Sequence, residues 1–247
     1  MAQLNQVASI FAGWEKAMIR SCLDGCMGYF LTDDEQNPSA AQIVMGDFCF
    51  FAGVPNAALA AKAASPIMVP QNGEWEQMLQ SVWGNGATKA LRYAIQKEPD
   101  VFSPERLHGY IDSLEKDYPL EIIGEEQYHS LLRDDWSKDL CSQFPSYEDY
   151  RQKGVGVVVT YKGTAVSGAS SYCVYSGGIE IEIDTNPEYR RKGLATACGA
   201  GLILECLKRG LYPSWDAHDL RSVALAEKLG YHMDHPYTAY IKNDFVL

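Results

Sequence analysis

The chain has 247 residues, 47% hydrophobic and 21% charged, an ordinary globular composition with room for one large domain or two of about 120 residues each. Lys plus Arg number 21 against 32 Asp plus Glu, a net charge of −11, which speaks against nucleic acid as a partner and suits a cationic small molecule. No apolar run reaches the ~18 residues of a membrane helix, and Met1 to Asn5 lacks a charged segment leading into an apolar one, so no membrane association and a cytoplasmic location are expected.

Residues 4–23 place Val7, Ile10, Phe11, Trp14, Met18 and Ile19 at helical spacing, predicting an opening amphipathic helix. Ala41 to Val54 reads as a hairpin around Gly46, Ala57 to Ala64 as a short helix, and Ile67 to Val69 as a strand. Helices are predicted over Glu74 to Trp83, Ala87 to Ile95 and Pro104 to Lys116, the last capped by Ser103. The run Gly84 to Lys89 lacks the spacing of a phosphate loop and follows no strand, so it reads as a turn.

From Leu120 the pattern changes. A strand at Glu121 to Ile123, a helix at Glu125 to Leu132 and a helical piece at Tyr147 to Gln152 lead into three strand-like runs, Val155 to Tyr161, Ala165 to Tyr175 and Ile179 to Thr185. Turns at Lys162-Gly163 and Ser176-Gly177-Gly178 make these an antiparallel meander. A helix over Tyr189 to Arg209, a short strand at Leu211 to Trp215, a helix over Leu220 to Leu229 between Asp219 and Gly230, and a strand at Tyr237 to Ile241 complete a layered α/β core. The seven cysteines are scattered and mostly embedded in apolar segments, as reduced core thiols would be. Cys22 and Cys26 have no second ligand pair nearby, so no metal is expected.

The informative segment runs from Glu180 to Cys206. Arg190, Arg191 and Lys192 stand where a helix is predicted to begin, a place the macrodipole makes unfavourable for cations unless an anion binds there. Gly193 and Ala195 leave the main-chain N–H groups open to a phosphate. The order Arg190-x-x-Gly193-x-Ala195, after a strand and the turn Asn186-Pro187-Glu188-Tyr189, resembles the acyl-CoA-binding motif of the GNAT N-acetyltransferase superfamily. Asp219, Ser222, Leu225, Lys228, Leu229, Gly230 and Tyr231 resemble that family's second motif, and the whole is similar to the larger bacterial subfamily that includes zwittermicin-type resistance acetyltransferases.

The resemblance covers residues 120–247 and implies a GNAT-like mixed, largely antiparallel sheet flanked by helices, with residues 1–119 as an additional N-terminal α/β lobe, a degenerate GNAT-like copy or an acceptor-binding part. It implies acetyl-CoA as co-substrate, held by Ile183, Asp184, Thr185, Arg190, Arg191, Lys192, Gly193, Leu194, Ala195, Thr196, Asp219 and Ser222, and an amine-bearing small molecule as acceptor. Whether the chain acts as a monomer or a homodimer is left open. Glu180, Glu182 and Asp184 alternate along one strand and so share a face, lining a wet cleft or an exposed strand surface. By the resemblance, Glu180 first and Glu182 second are the candidate general bases. Ala226 stands where many members carry a tyrosine acid, so another acid serves or none is needed; Tyr231, Tyr237 and Tyr240 lie nearby in sequence, with Tyr231 taken as the catalytic candidate, and an acyl-CoA-binding sensor or interaction module is the alternative to an enzyme.

Overall fold

The computed structural model describes residues 2–245. Its elements run α1 (Ala2–Ile10), α2 (Ala17–Leu23), β1 (Tyr29–Thr32), β2 (Ala40–Met45), β3 (Phe48–Gly53), α3 (Ala57–Ala61), β4 (Ile67–Pro70), α4 (Gly73–Trp83) and β5 (Ala87–Ile95). They continue as α5 (Pro104–Asp112), β6 (Leu120–Ile122), α6 (Glu125–Leu131), α7 (Tyr147–Lys153), β7 (Gly156–Tyr161), β8 (Thr164–Tyr175) and β9 (Gly178–Thr185). The chain ends on α8 (Leu194–Lys208), β10 (Tyr212–Ser214), β11 (Asp216–Ala217), α9 (Leu220–Leu229) and β12 (Met233–Lys242). Contacts divide it into two compact units, residues 1–92 with 236–247, and residues 93–235.

In the first unit β2 and β3 form the expected hairpin, turning at Gly46 with φ 54°, and β3 runs parallel to β4, which pairs antiparallel with the end of β12. Phe51, Met68, Trp75, Leu79 and Tyr240 fill the core between this sheet and α3 and α4. The predicted opening helix is broken: Gly13 takes φ 79°, and Phe11 stacks on Trp14 between α1 and α2, so Val7, Phe11, Met18 and Ile19 are buried without a continuous helical ladder. Ala87 to Ile95, expected as a helix, is strand β5. Its Ala, Lys, Leu and Arg favour helix intrinsically, but pairing within a sheet overrides so weak a preference.

The second unit is built on the sheet β10-β9-β8-β7-β6, antiparallel except that β10 runs parallel to β9. Together with the first unit's sheet it gives the mixed, largely antiparallel architecture flanked by helices that the sequence predicts. Helix α8 lies against the face of β9 that carries Ile183. A Cβ on Gly199 would come within 2.6 Å of Leu229 Cδ1 and 3.2 Å of Ile183 Cδ1, so α8 packs closely on the strand here and a larger residue would push these side-chain ends aside. The cysteines Cys22, Cys49, Cys141, Cys173, Cys198 and Cys206 are buried thiols that form no disulfide. Desolvation pushes Cys22 up to about 11 and Cys49, Cys141, Cys198 and Cys206 up to about 12, so these groups stay protonated.

Candidate active site

Strands β9 and β10 begin side by side and then part. Their ladder runs Gly178 to Tyr212, Ile179 to Pro213 and Glu180 to Ser214, and there it stops. After one intervening residue, Trp215, the chain takes another partner, with Asp216 and Ala217 of β11 pairing antiparallel to Ala94 and Tyr93 of β5. The edge of β9 from Ile181 onwards is thereby opened into a wedge.

The polarity of that edge follows from its hydrogen bonds. Tyr212 N–H donates to the Gly177 carbonyl at 2.9 Å, so odd-numbered residues of β9 aim their main-chain groups at the β10 side. Even-numbered ones face β8: the Asp184 carbonyl accepts from Ser167 Oγ at 3.2 Å, and Asn186 N–H donates to Val166 at 3.0 Å. The N–H and C=O groups of Ile181, Ile183 and Thr185 therefore point into the wedge.

At the wide end lies the cationic turn. The structure moves the helix start: Arg190, Arg191 and Lys192 precede α8 instead of forming its first turn, which removes most of their conflict with the macrodipole. Arg191 is left-handed at φ 64°, and Gly193, the N-cap, at φ 81°. Asn72, Ser103 and Asp219 cap their helices with side-chain acceptors, whereas Gly193 offers none, and the first turn of α8 holds no acidic residue. The first intrahelical bond is Ala197 N–H to Gly193, so the N–H groups of Leu194, Ala195 and Thr196 stand before the ladder begins. A Cβ built on Gly193 would meet nothing beyond its chain neighbours within 4 Å, so the space beside this N-cap is open.

The remaining predicted residues are placed as follows. Arg190 Nε reaches back to the Thr185 carbonyl at 3.4 Å. Lys192 donates to Tyr118 Oη at 2.7 Å and sits over the Tyr118 and Tyr189 rings; the hydrogen bond to Tyr118 raises the pKa of its ammonium. Thr196 Oγ1 accepts from Lys228 at 3.4 Å, linking α8 to α9. Asp219 and Ser222 are engaged at the start of α9. Asp219 Oδ1 accepts from the N–H groups of Arg221 and Ser222, and Ser222 Oγ accepts from Trp215 Nε1 at 3.1 Å. Against the desolvation of its position, the Arg221 guanidinium and these N–H donors hold the Asp219 carboxyl below the usual range.

The acidic face does share one side of β9, in graded surroundings. Glu180 is 5% exposed at the closed end of the wedge, while Glu182 and Asp184 are half-buried. Burial raises Asp184 to about 6, Asp139 adds to the shift, and Arg190 opposes it. Tyr231 is 1% exposed between Phe102 and Trp215, and its hydroxyl donates to the Pro213 carbonyl at 2.7 Å. Burial pushes its phenol well above the ordinary range. Tyr175, Ser214 and Lys97 meet on the Glu180 face at the closed end. Their residues lie on three separate segments, and no local spacing marks them.

The wedge and the uncapped helix start define a class of protein. Residues 8–240 match the family model described as GNAT acetyltransferase, and the chain belongs to that family. Among solved structures it is similar to a GCN5-related N-acetyltransferase-like protein from Streptococcus suis 89/1591, with 42% identity, a TM-score of 0.94, and coverage of 98% of this chain and 99% of that one. A GCN5-related N-acetyltransferase from Kribbella flavida shares the fold at 13% identity and a TM-score of 0.61, covering 98% and 96% of the two chains. The uncharacterized N-acetyltransferase YdfB of Bacillus subtilis (strain 168) is 28% identical over 174 residues, 67% of this chain and 62% of that relative's length.

Proposed function

We propose that this protein transfers an acetyl group from acetyl-CoA to a primary amine of a small cationic molecule. The carrying observation is the parting of β9 from β10 above an uncapped helix start that three cations precede. Such a start suits a pyrophosphate, because main-chain N–H groups and cations converge on open space. Arg190, Arg191 and the N–H groups of Gly193 to Thr196 would hold the phosphates, and the odd-numbered main-chain groups of Ile181, Ile183 and Thr185 would receive the amides of the pantetheine arm. Lys192, tied to Tyr118, would contribute its charge at longer range.

In the transfer, the amine nitrogen attacks the thioester carbonyl, the C–S bond breaks, and the amine gives up a proton. Glu180 is the candidate to take that proton, through water, with Glu182 next along the same face. A face carrying Glu180, Glu182 and Asp184, on a chain of net charge −11, favours a cationic acceptor. Ala226 is fully buried and brings no hydroxyl to this site, and that observation favours a second reading, an acyl-CoA-binding sensor without turnover.

Calorimetry with acetyl-CoA tests the cofactor reading: binding is expected in the micromolar range (~8 kcal/mol) and is expected to be lost in Arg191→Glu and in Gly193→Trp. Unchanged binding in both variants removes the reading. Thiol release with a panel of polyamines, aminoglycosides and peptide amines then separates enzyme from sensor.

A further inference from the structure

Breaking a thioester leaves a thiolate, and a thiolate leaves more readily when a proton reaches it. The closed end of the wedge holds a chain of donors suited to this. Tyr175 and Gly178 are register partners on β8 and β9, and the Tyr175 side chain crosses the glycine to reach β10. There its hydroxyl lies 2.9 Å from Ser214 Oγ, while Lys97 Nζ donates to Tyr175 Oη at 3.1 Å. An ammonium has no acceptor, so Lys97 donates to Tyr175; the Tyr175–Ser214 contact can run either way, and when Tyr175 is its donor Ser214 keeps its own hydrogen to give onward. Lys97 is exposed, Tyr175 buried and Ser214 half-buried, so the chain runs from solvent through a buried phenol to the wedge.

Ser214 is also the last β10 residue paired with β9, in register with Glu180 on the same face. A cofactor held by its phosphates at the α8 start and laid along the odd-numbered edge of β9 brings its thioester to this end. That placement rests on the function proposed above.

We propose that Ser214, supplied through Tyr175 from Lys97, is the proton donor to the departing thiolate. The C–S bond breaks with its electron pair on sulphur and sulphur takes the Ser214 hydrogen. Ser214 takes that of Tyr175, Tyr175 takes one from Lys97, and Lys97 is reprotonated from water. The proton movements are concerted, so no free alkoxide forms on Ser214. Ser214 is the group that touches sulphur; Tyr175 and Lys97 act through it.

The test reads the thiol itself. Free CoA is bound to the protein, and ionisation of its thiol is followed by thiolate absorbance, with the acetyl-CoA complex as blank to remove the protein's own cysteines. A donor beside sulphur favours the thiolate, so Ser214→Ala and Tyr175→Phe are expected to raise the midpoint by about one unit, tenfold in ionisation. Lys97→Met, at an exposed position, is expected to raise it less, and Ser214→Thr, which keeps the hydroxyl, to leave it in place. Single-turnover acetyl transfer is expected to fall roughly 100-fold in Ser214→Ala with acetyl-CoA affinity retained. CoA bound normally, with one midpoint common to the native chain, Ser214→Ala, Tyr175→Phe and Lys97→Met, overturns the proposal. Failure of the native chain to bind CoA at all would instead overturn the cofactor reading on which it rests.

Discussion

Tyr175 lies across Gly178, where a Cβ would stand 2.2 Å from its Oη, 2.4 Å from its Cζ and 2.5 Å from the Tyr212 carbonyl. Two of these three atoms are set by a ring and a backbone, not by a flexible side-chain end. Gly178→Ala is therefore expected to destabilise the protein by about 1–3 kcal/mol, as overpacking does, and to lower the urea midpoint. Removing the hydroxyl does not remove the ring carbon or the carbonyl, so adding Tyr175→Phe should leave most of the loss. An unchanged midpoint in Gly178→Ala would show that β9 and β10 slide freely at the closed end of the wedge.

Asp184 gives a pH-dependent prediction whose sign is opposite to that of an ion-paired carboxylate. Its folded pKa, about 6, lies above the ordinary 3.8, so between those values the folded chain holds a proton the unfolded chain has released. The contribution to stability is full below about 3.8 and is lost as pH rises through about 6. Asp184→Asn removes the titration, and at pH 7 the variant is expected to be more stable by about 1–3 kcal/mol, the range allowing for partial exposure. Urea unfolding at pH 4 and pH 7 measures this; equal effects of the substitution at both values would contradict it.

Much of the second unit was legible because its signals are local. Asp219 and Gly230 bracket α9 at the predicted residues, since a side-chain cap and a left-handed glycine act within one turn. Glycine and polar turns placed β7, β8 and β9, and the acidic alternation fixed a shared face for Glu180, Glu182 and Asp184. Beyond that reach the signals fail. Ala87 to Ile95 carries helix-favouring residues, and its strand state depends on partners distant in sequence. The cations at Arg190 to Lys192 were placed in a helix because the left-handed turn at Arg191 has no composition of its own; arginine rarely adopts φ 64°. The meeting of Lys97, Tyr175 and Ser214 is tertiary, and only the ladder that pairs Ser214 with Glu180 brings it into view.

Asp219 separates a structural role from a binding one. Its Oδ1 accepts from Arg221 N–H and Ser222 N–H, both at 2.9 Å, so Asp219→Ala is expected to cost about 0.5–2 kcal/mol, while Asp219→Asn, which also caps, should cost much less. Because its folded pKa is depressed, the charge-dependent part of this stabilisation is present above the ordinary 3.8 and is lost as pH falls through the lower folded value. Thermal unfolding at pH 7 and pH 3 checks both statements. Acetyl-CoA affinity measured on Asp219→Asn then reports on contact with the cofactor apart from capping.

For the proposed transfer Glu180 and Glu182 are the two candidate bases, and their surroundings rank them. Glu180 is buried opposite Ser214 where the wedge closes, whereas Glu182 is half-buried one pleat further along the opened strand. A base has to stand near the reacting nitrogen, which in the proposed placement attacks at the closed end. Glu180→Gln is accordingly expected to lower kcat by about 10²–10⁴ with the KM for acetyl-CoA little changed, and Glu182→Gln to lower it less than about tenfold. Gln keeps the shape and hydrogen-bonding capacity of the side chain, so the comparison isolates proton acceptance. Raising the pH compensates for a missing base by supplying more of the neutral amine. Activity of Glu180→Gln should therefore climb with pH over the range in which the native enzyme is flat. A flat profile for Glu180→Gln together with a climbing one for Glu182→Gln would transfer the role to Glu182.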